Sequence, residues 1–425
     1  MIERVSLFNS KKEILYFLTL TFSILIFSLL YEFYNYKQLT KFDSALINAT
    51  VLKQYAKTKL TKKGNPRTYQ VLKLKSDEGF VFYTTASKKL RDIKYQHIQI
   101  EAWAGEISFY EYMSTFFAFS KILKVDEKES LKNRFNMFID SQHKDKSNSS
   151  IYQALFSAKP LSRELQGIFS NLGVSHLIAI SGFHLGVLSG VLFFLLKYPY
   201  KFFQNRYFPY RSYKVDSFVL ISGILLLYLL FLDSPPSLLR AFVMLVVGFI
   251  LYDRGVKIVS MQTLFVSLVM ILIFFPRLFL SVGFWLSISG VYYIFLFLIH
   301  YKHLSKLWQF TLIPIWVYLL MLPYSLVIFS NFSVYHPLSI IWTSLFTLFY
   351  PLSILLHLIG FGDVFDGILM AFIEIDTAAV KIDLSYGWLI LEVLFSLLSL
   401  YKKEFIYLLL FYSFSLFIYA INYVT

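Results

Sequence analysis

The feature that most constrains this chain is a series of apolar runs, each close to the twenty or so residues that cross a bilayer as a helix. The first is residues 14–34 (ILYFLTLTFSILIFSLLYEFY). From residue 172 such runs recur to the end, near 172–196, 217–232, 237–252, 261–275, 279–299, 308–329, 338–358, 386–400 and 404–423. Only 16% of the 425 residues are charged, and mean hydropathy is +0.60. Soluble domains carry about 25% charged residues, so a soluble enzyme, a collagen-like fibre and a disordered chain are excluded. Cysteine is absent, which removes disulfides, thiolate metal sites and cysteine nucleophiles.

The net charge of +14 is unevenly spread. Residues 37–105 hold fourteen basic and five acidic residues. Basic loops that only set topology would be distributed among the spans, whereas a basic soluble module reads as a surface for phosphate. Within it, VLKQYAKTKL, TYQVLKLKS, EGFVFYTTA and HIQIEAW alternate apolar and polar residues as half-buried strands do, with turns at GNPR (64–67) and SDEG (76–79). Five or so short strands predict a small β-barrel of OB-like type. Lys53, Lys57, Lys59, Lys62, Lys63, Arg67, Lys73 and Lys75 lie on its first strands and their loop, interleaved with Tyr55, Tyr69, Phe82, Tyr83 and Trp103. Lysines that track phosphates between rings that stack on bases make a strand-binding face; an ordinary solvated face over an aromatic core has the same composition.

The fold class expected is a polytopic α-helical membrane protein with an inserted small β-barrel (OB-like) soluble domain. Its parts are an N-terminal transmembrane anchor (1–36), the OB-like barrel (37–106), amphipathic or interfacial helices (107–150) and a multi-span domain (151–425). Residues 109–123 read as one interfacial helix. Arg4, Lys11 and Lys12 precede the first span, no cleavage site follows, and the basic loops 197–214, 253–257 and 300–306 fit the cytoplasmic side. The barrel is then extracytoplasmic. The route after residue 338 has two readings: a break at Pro351 with a return outward, or a crossing by 364–384. The acidic and basic residues of that last stretch make it look more like an amphipathic helix at the outer surface or lining a cavity.

The run 172–196 (LGVSHLIAISGFHLGVLSGVLFFLL) carries His176, Ser181, Gly182, His184, Gly186 and Gly190 at membrane depth, where polar groups face a protein interior or a wet path. On one helix the two histidines lie roughly 80° apart. Ser181-Gly182 between them is a candidate break that exposes backbone N–H groups, and glycines four apart permit close helix packing. Buried, hydrogen-bonded packing is the alternative for both histidines. Arg240, early in the run after DSPP, either snorkels to headgroups or faces a cavity as a phosphate-gripping fork. No P-loop, HExxH or GxSxG is present, and the histidines at 97, 143, 176, 184, 300, 303, 336 and 357 are scattered. No catalytic residue, metal or cofactor is expected, and a conduit is favoured over an enzyme.

The run GVSHLIAISGFHLG (173–186), preceded by LSRELQGIFSNLGV (161–174) and followed by PSLLRAFVM (236–244), YDRG (252–255) and FFPRLFLSVGFWLS (274–287), resembles the ComEC-type competence proteins. Phe183, Leu185 and Trp285 depart from the usual residues there. The resemblance implies an inner-membrane channel for single-stranded DNA in natural transformation. It assigns His176, Ser181, Gly182, His184 and Arg240 to the channel region. It also implies a periplasmic DNA receptor, a cytoplasmic helicase-type motor or strand-binding proteins, membrane lipids and an oligomer as partners. The chain stops at Thr425 without a His-x-His-x-Asp-His cluster, so a short form without a metallo-β-lactamase-like domain is expected. A small-molecule or lipid-linked-sugar transporter, or a membrane glycan ligase, is the rival reading.

Overall fold

The computed structural model describes residues 7, 8, 10–60, 66–126 and 131–424. The chain divides into two units, one of residues 10–138 with 269–282, the other of 1–9, 139–268 and 283–425.

The first unit opens with α1 (Lys11–Leu39), whose first turn is capped by the Ser10 hydroxyl accepting from the Glu13 amide at 3.2 Å. Its end packs Tyr36 and Leu39 against a six-stranded sheet. The strands are β1 (Ala45–Leu60), β2 (Pro66–Ser76), β3 (Val81–Ala86), β4 (His97–Trp103), β5 (Phe116–Phe117) and β6 (Phe119–Val125), in the order β5-β3-β2-β1-β4-β6. β5 and β6 are separated by Ala118 alone, so the two edges of the sheet are two halves of one bent strand, and the sheet curls into an OB-like barrel. Period-two alternation sends Ile47, Ala49, Val51, Leu72, Leu74, Phe82, Ile98, Ile100 and Ala102 inward. Phe82 is therefore core, not surface. A bulge between Val51 and Lys53 lets the long β1 leave the barrel, and past Gln70 the β1–β2 pair continues as a two-stranded ribbon.

Residues 109–123 do not form one helix. They give α2 (Phe109–Met113), closed by a Ser108–Glu111 capping box, and then β5 and most of β6. The alternation in FFAFSKIL has the strand period, and pairing with β3 and β4 decides the matter. α3 (Leu131–Asp140) follows. In the same unit Arg277 forks onto Glu32 of α1 at 3.1 and 2.6 Å, with its guanidinium 4.5 Å from the Tyr112 ring.

The second unit is helical: α4 (Lys146–Ser157), α5 (Arg163–Asn171), α6 (Ser175–Ile178), α7 (Gly182–Tyr207), α8 (Tyr213–Phe231), α9 (Pro236–Asp253), α10 (Met261–Phe274), whose residues from 269 on are counted with the first unit, α11 (Val282–His300) and α12 (Lys306–Phe329). A two-stranded pair, β7 (Asn331–Phe332) with β8 (Val380–Lys381), brackets α13 (Ser339–Leu358) and α14 (Asp366–Ile373), and α15 (Tyr386–Leu398) and α16 (Glu404–Val424) end the chain. Among the described residues seven helices are long and apolar enough to span a membrane, α1, α7, α8, α11, α12, α13 and α16, and α10 and α15 are shorter apolar helices. This is a multi-pass membrane protein with an inserted OB-like domain.

Three expectations change. The run 172–196 is not one span: the helix breaks at 179–181 and α7 continues through Pro199 into the basic stretch expected as a loop. α13 is unbroken at Pro351, since a proline in a membrane helix is accommodated by neighbouring groups. Residues 364–384 form no spanning helix, being a short α14 followed by extended chain, rather than one amphipathic helix.

Candidate functional site

The broken helix organises the first site. Gly173, at φ +73°, turns the chain out of α5, and a side chain there would meet the His336 Cα at 3.0 Å. α6 carries His176, exposed, with Nε2 3.3 Å from the Thr343 hydroxyl of α13. Ser181 is the N-cap of α7. His184, three residues on, turns back so that Nδ1 accepts from the Ser181 amide at 3.2 Å, the part usually taken by Glu or Gln in a capping box. His184 is fully buried, edge-on to Tyr350 and Phe346, and its Nε2 makes no hydrogen bond of good geometry.

α9 closes on this break. The Ser237 hydroxyl donates to the Ile180 carbonyl at 2.8 Å. A methyl group on Gly182 would lie 2.9 Å from Cβ of Ala241, so α7 and α9 touch there backbone to side chain. Gly186 and Gly190 have open space beside them, so only the first glycine of the expected packing series is used. Arg240 does not snorkel. It is 4% exposed, donates to the Gly283 carbonyl at 2.6 Å, and lies 5.5 Å from the Phe284 ring.

Three sequence segments far apart in the chain, 173–186, 236–244 and 283–287, thus meet at one point. His176 and the Ser181–Gly182 corner present accessible surface. His184 and Arg240, expected to line a channel, present almost none in this conformation and instead hold the corner together, because a polar group enclosed away from water must find its partner within the protein.

The second site is the outward face of β1–β2–β3. The register sets Lys53 opposite Lys73, Tyr55 opposite Val71, Lys57 opposite Tyr69 and Lys59 opposite Arg67, with Lys75 opposite Thr50 and Tyr83 opposite Lys73 on the next strand. Six cationic side chains and three tyrosines therefore share one face. Lys62 and Lys63 lie outside the described residues. Partial burial lowers the pKa of both Lys53 and Lys73, and the Lys73 charge lowers Lys53 further. Like charges directly opposite one another destabilise a sheet, and an anion bound between them would remove that cost.

Two further clusters escaped the sequence reading. The histidines are not all isolated: His143, His357 and Asp366 converge. Glu392, the one fully buried carboxyl among the described residues, accepts from Tyr293 at 3.0 Å and from Ser413 at 3.3 Å. An acid inside LILEVLF was a readable signal for the latter, since such a residue in a span calls for a reason. Nothing in the sequence pairs 143 with 357. No group of three or more His, Asp or Glu side chains arranged to hold a metal ion occurs among the described residues.

The family model described as Competence protein matches residues 157–424, which contain the whole of the first site. No curated protein and no solved structure matches the chain.

Proposed function

This chain belongs to the Competence protein family, and we propose that it is the bacterial inner-membrane channel that passes single-stranded DNA into the cytoplasm during natural transformation. The observation that carries the reading is the convergence, within the family-matched segment, of a broken spanning helix, an accessible histidine and a buried arginine at one corner. A strand bearing a phosphate at every nucleotide cannot cross about 30 Å of hydrocarbon unless polar groups line the way. His176 and the Ser181–Gly182 corner are the proposed wall. His184 caps the helix that forms it, and Arg240 fixes α9 against α11 beside it.

The cationic sheet face, Lys53, Tyr55, Lys57, Lys59, Arg67, Tyr69, Lys73 and Lys75, with Lys62 and Lys63 of its loop, is the proposed collecting surface. It acts by counterion release at the lysines and base stacking on the tyrosines, on the extracytoplasmic side. Direction of transport is supplied by partners: a DNA receptor outside, and a helicase-type motor or strand-binding proteins inside. The chain itself acts as a conduit without a catalytic centre. The sugar-transporter and glycan-ligase readings are not favoured, because neither accounts for the family match together with a base-stacking cationic face.

The test is complementation. A strain lacking the gene should lose uptake of transforming DNA and regain it with the wild-type chain. Arg240→Ala should insert at normal levels yet reduce transformation by at least about a hundredfold, since it leaves the Gly283 carbonyl without its charged donor and α9 unfixed at the corner. Transformation at wild-type frequency in the deletion strain would end the proposal.

A further inference from the structure

His143, on the turn between α3 and α4, has a completely enclosed side chain. Its Nδ1 lies 2.9 and 3.0 Å from the two carboxylate oxygens of Asp366, at the start of α14. Its Nε2 lies 3.0 Å from Nε2 of His357, near the end of α13. Nδ1 of His357 in turn lies 2.7 Å from the Ser353 carbonyl.

Hydrogens can be counted along this chain. A carbonyl only accepts, so Nδ1 of His357 carries a hydrogen. An ionised Asp366 only accepts, so Nδ1 of His143 carries one as well. If both rings are neutral, two lone pairs then face each other at 3.0 Å in a dry site. The contact becomes a hydrogen bond only with one more proton. Placed on Nε2 of His143, it makes that ring an imidazolium that donates to Asp366 on one side and to His357 on the other. Moving it to the carboxyl group, or to His357, changes the bookkeeping of charge but not the number.

We propose that His143, His357 and Asp366 form a one-proton latch that fastens the segment 139–157 to α13 and α14. The inference is independent of the transport reading.

The surroundings fit a closed device. The Tyr152 ring stacks on His143 at 4.6 Å, and burial with the nearby Asp366 charge raises its phenol pKa, so it stays neutral. Gln142 donates to the His357 carbonyl at 3.1 Å and accepts from the Gly362 amide at 3.0 Å. Asn148 donates to the Asp366 carbonyl at 3.4 Å. A side chain on Gly362 would lie 2.8 Å from the His357 ring, so glycine seals the site. Gln142, Asn148 and Gly362 carry no titratable group, and Tyr152 stays neutral.

The sign follows from linkage. The latched state holds a proton that a histidine released to water keeps only below about pH 6.5. The latched state therefore binds more protons than the open one, and rising pH through and above that range favours opening.

Hydrogen exchange of residues 139–157 in the detergent-solubilised full chain tests this, at about pH 6 and about pH 8.5, with rates corrected for the intrinsic effect of pH. Wild type should lose protection by about tenfold, one pKa unit's worth of linkage, while His143→Gln and Asp366→Asn should show no such change. Equal pH dependence in wild type and both variants would overturn the latch. Should the variants not fold, nitrogen NMR of histidine-labelled wild type decides alone. A ring hydrogen on Nε2 of either histidine at pH 6, at the contact between the two rings, supports the proposal, and two rings each protonated only on Nδ1 refute it. A shift of that signal on adding zinc or a chelator would show a metal in the proton's place, and would also refute it.

Discussion

Lys53 and Lys73 face each other across the first two strands with no carboxylate between them in the register, and that pair is the clearest residue-level sign of an anion partner. Lys73→Gln should separate folding from binding. Removing one of two opposed charges should leave thermal stability unchanged or higher by up to about 1 kcal/mol. It should also weaken the full chain's grip on a labelled single strand and reduce its salt slope by about 0.7, the share of one phosphate contact. Fluorescence anisotropy against salt, with a melting curve beside it, checks both. A variant that binds as before but melts lower would mean the lysines serve the sheet alone. The pH sign is also fixed. Burial, then the neighbouring charge, lowers these pKa values, so the ammonium groups lose their protons at lower pH than free lysines with a value near 10.5. Strand binding should fall off correspondingly early as pH rises. Over the same alkaline window the unfolded chain holds more protons than the folded one, so the destabilisation from this pair is relieved with rising pH.

Among the elements, α15 carries a burden its sequence shows but its surroundings explain. Glu392 is enclosed by α11, α12 and α16, with Tyr293 and Ser413 bonded to it and Tyr324 bonded to Tyr293 at 3.3 Å; every one of these partners is a hydroxyl. Glu392→Gln keeps an acceptor for Tyr293 and should change stability by less than about 1 kcal/mol. Glu392→Leu removes the carboxylate acceptor of the Ser413 hydroxyl and one of the partners of Tyr293, which keeps Ser396 and Tyr324, and should cost about 1–3 kcal/mol. Thermal unfolding in one detergent distinguishes them, and equal effects from the two variants would show that the network does not support the four helices. α7 teaches a complementary lesson. Its hydrophobic run extends N-terminally past Ser181, yet the helix starts at Gly182, because the histidine that caps it and the serine of α9 that binds the Ile180 carbonyl hold the corner open.

For the whole molecule, the electrostatics of the sheet face set a measurable bound. Six described cations on one face, each neutralising a phosphate, predict that the logarithm of single-strand affinity falls with the logarithm of salt at a slope of about −4. Titration of the full chain from low to high salt gives that slope directly. A value near zero would mean that the face does not meet a nucleic acid backbone. The complete chain is the right material for this measurement, since a fragment ending near residue 105 would lack β5 and β6, and with them the closure of the barrel.

Hydropathy and the strand period carried most of the architecture. Most runs of about twenty apolar residues form helices long enough to span, because hydrocarbon admits little else, and alternating lysines and tyrosines land on one face because side chains alternate along a strand. Those are local consequences of a solvent and of a backbone repeat, and they need no knowledge of what packs against what. The strand fate of 116–125, the inward turn of Arg240, the capping role of His184 and the meeting of His143 with His357 and Asp366 are different in kind. Each depends on which distant group lies within hydrogen-bonding reach, and only the folded chain brings together residues more than two hundred positions apart.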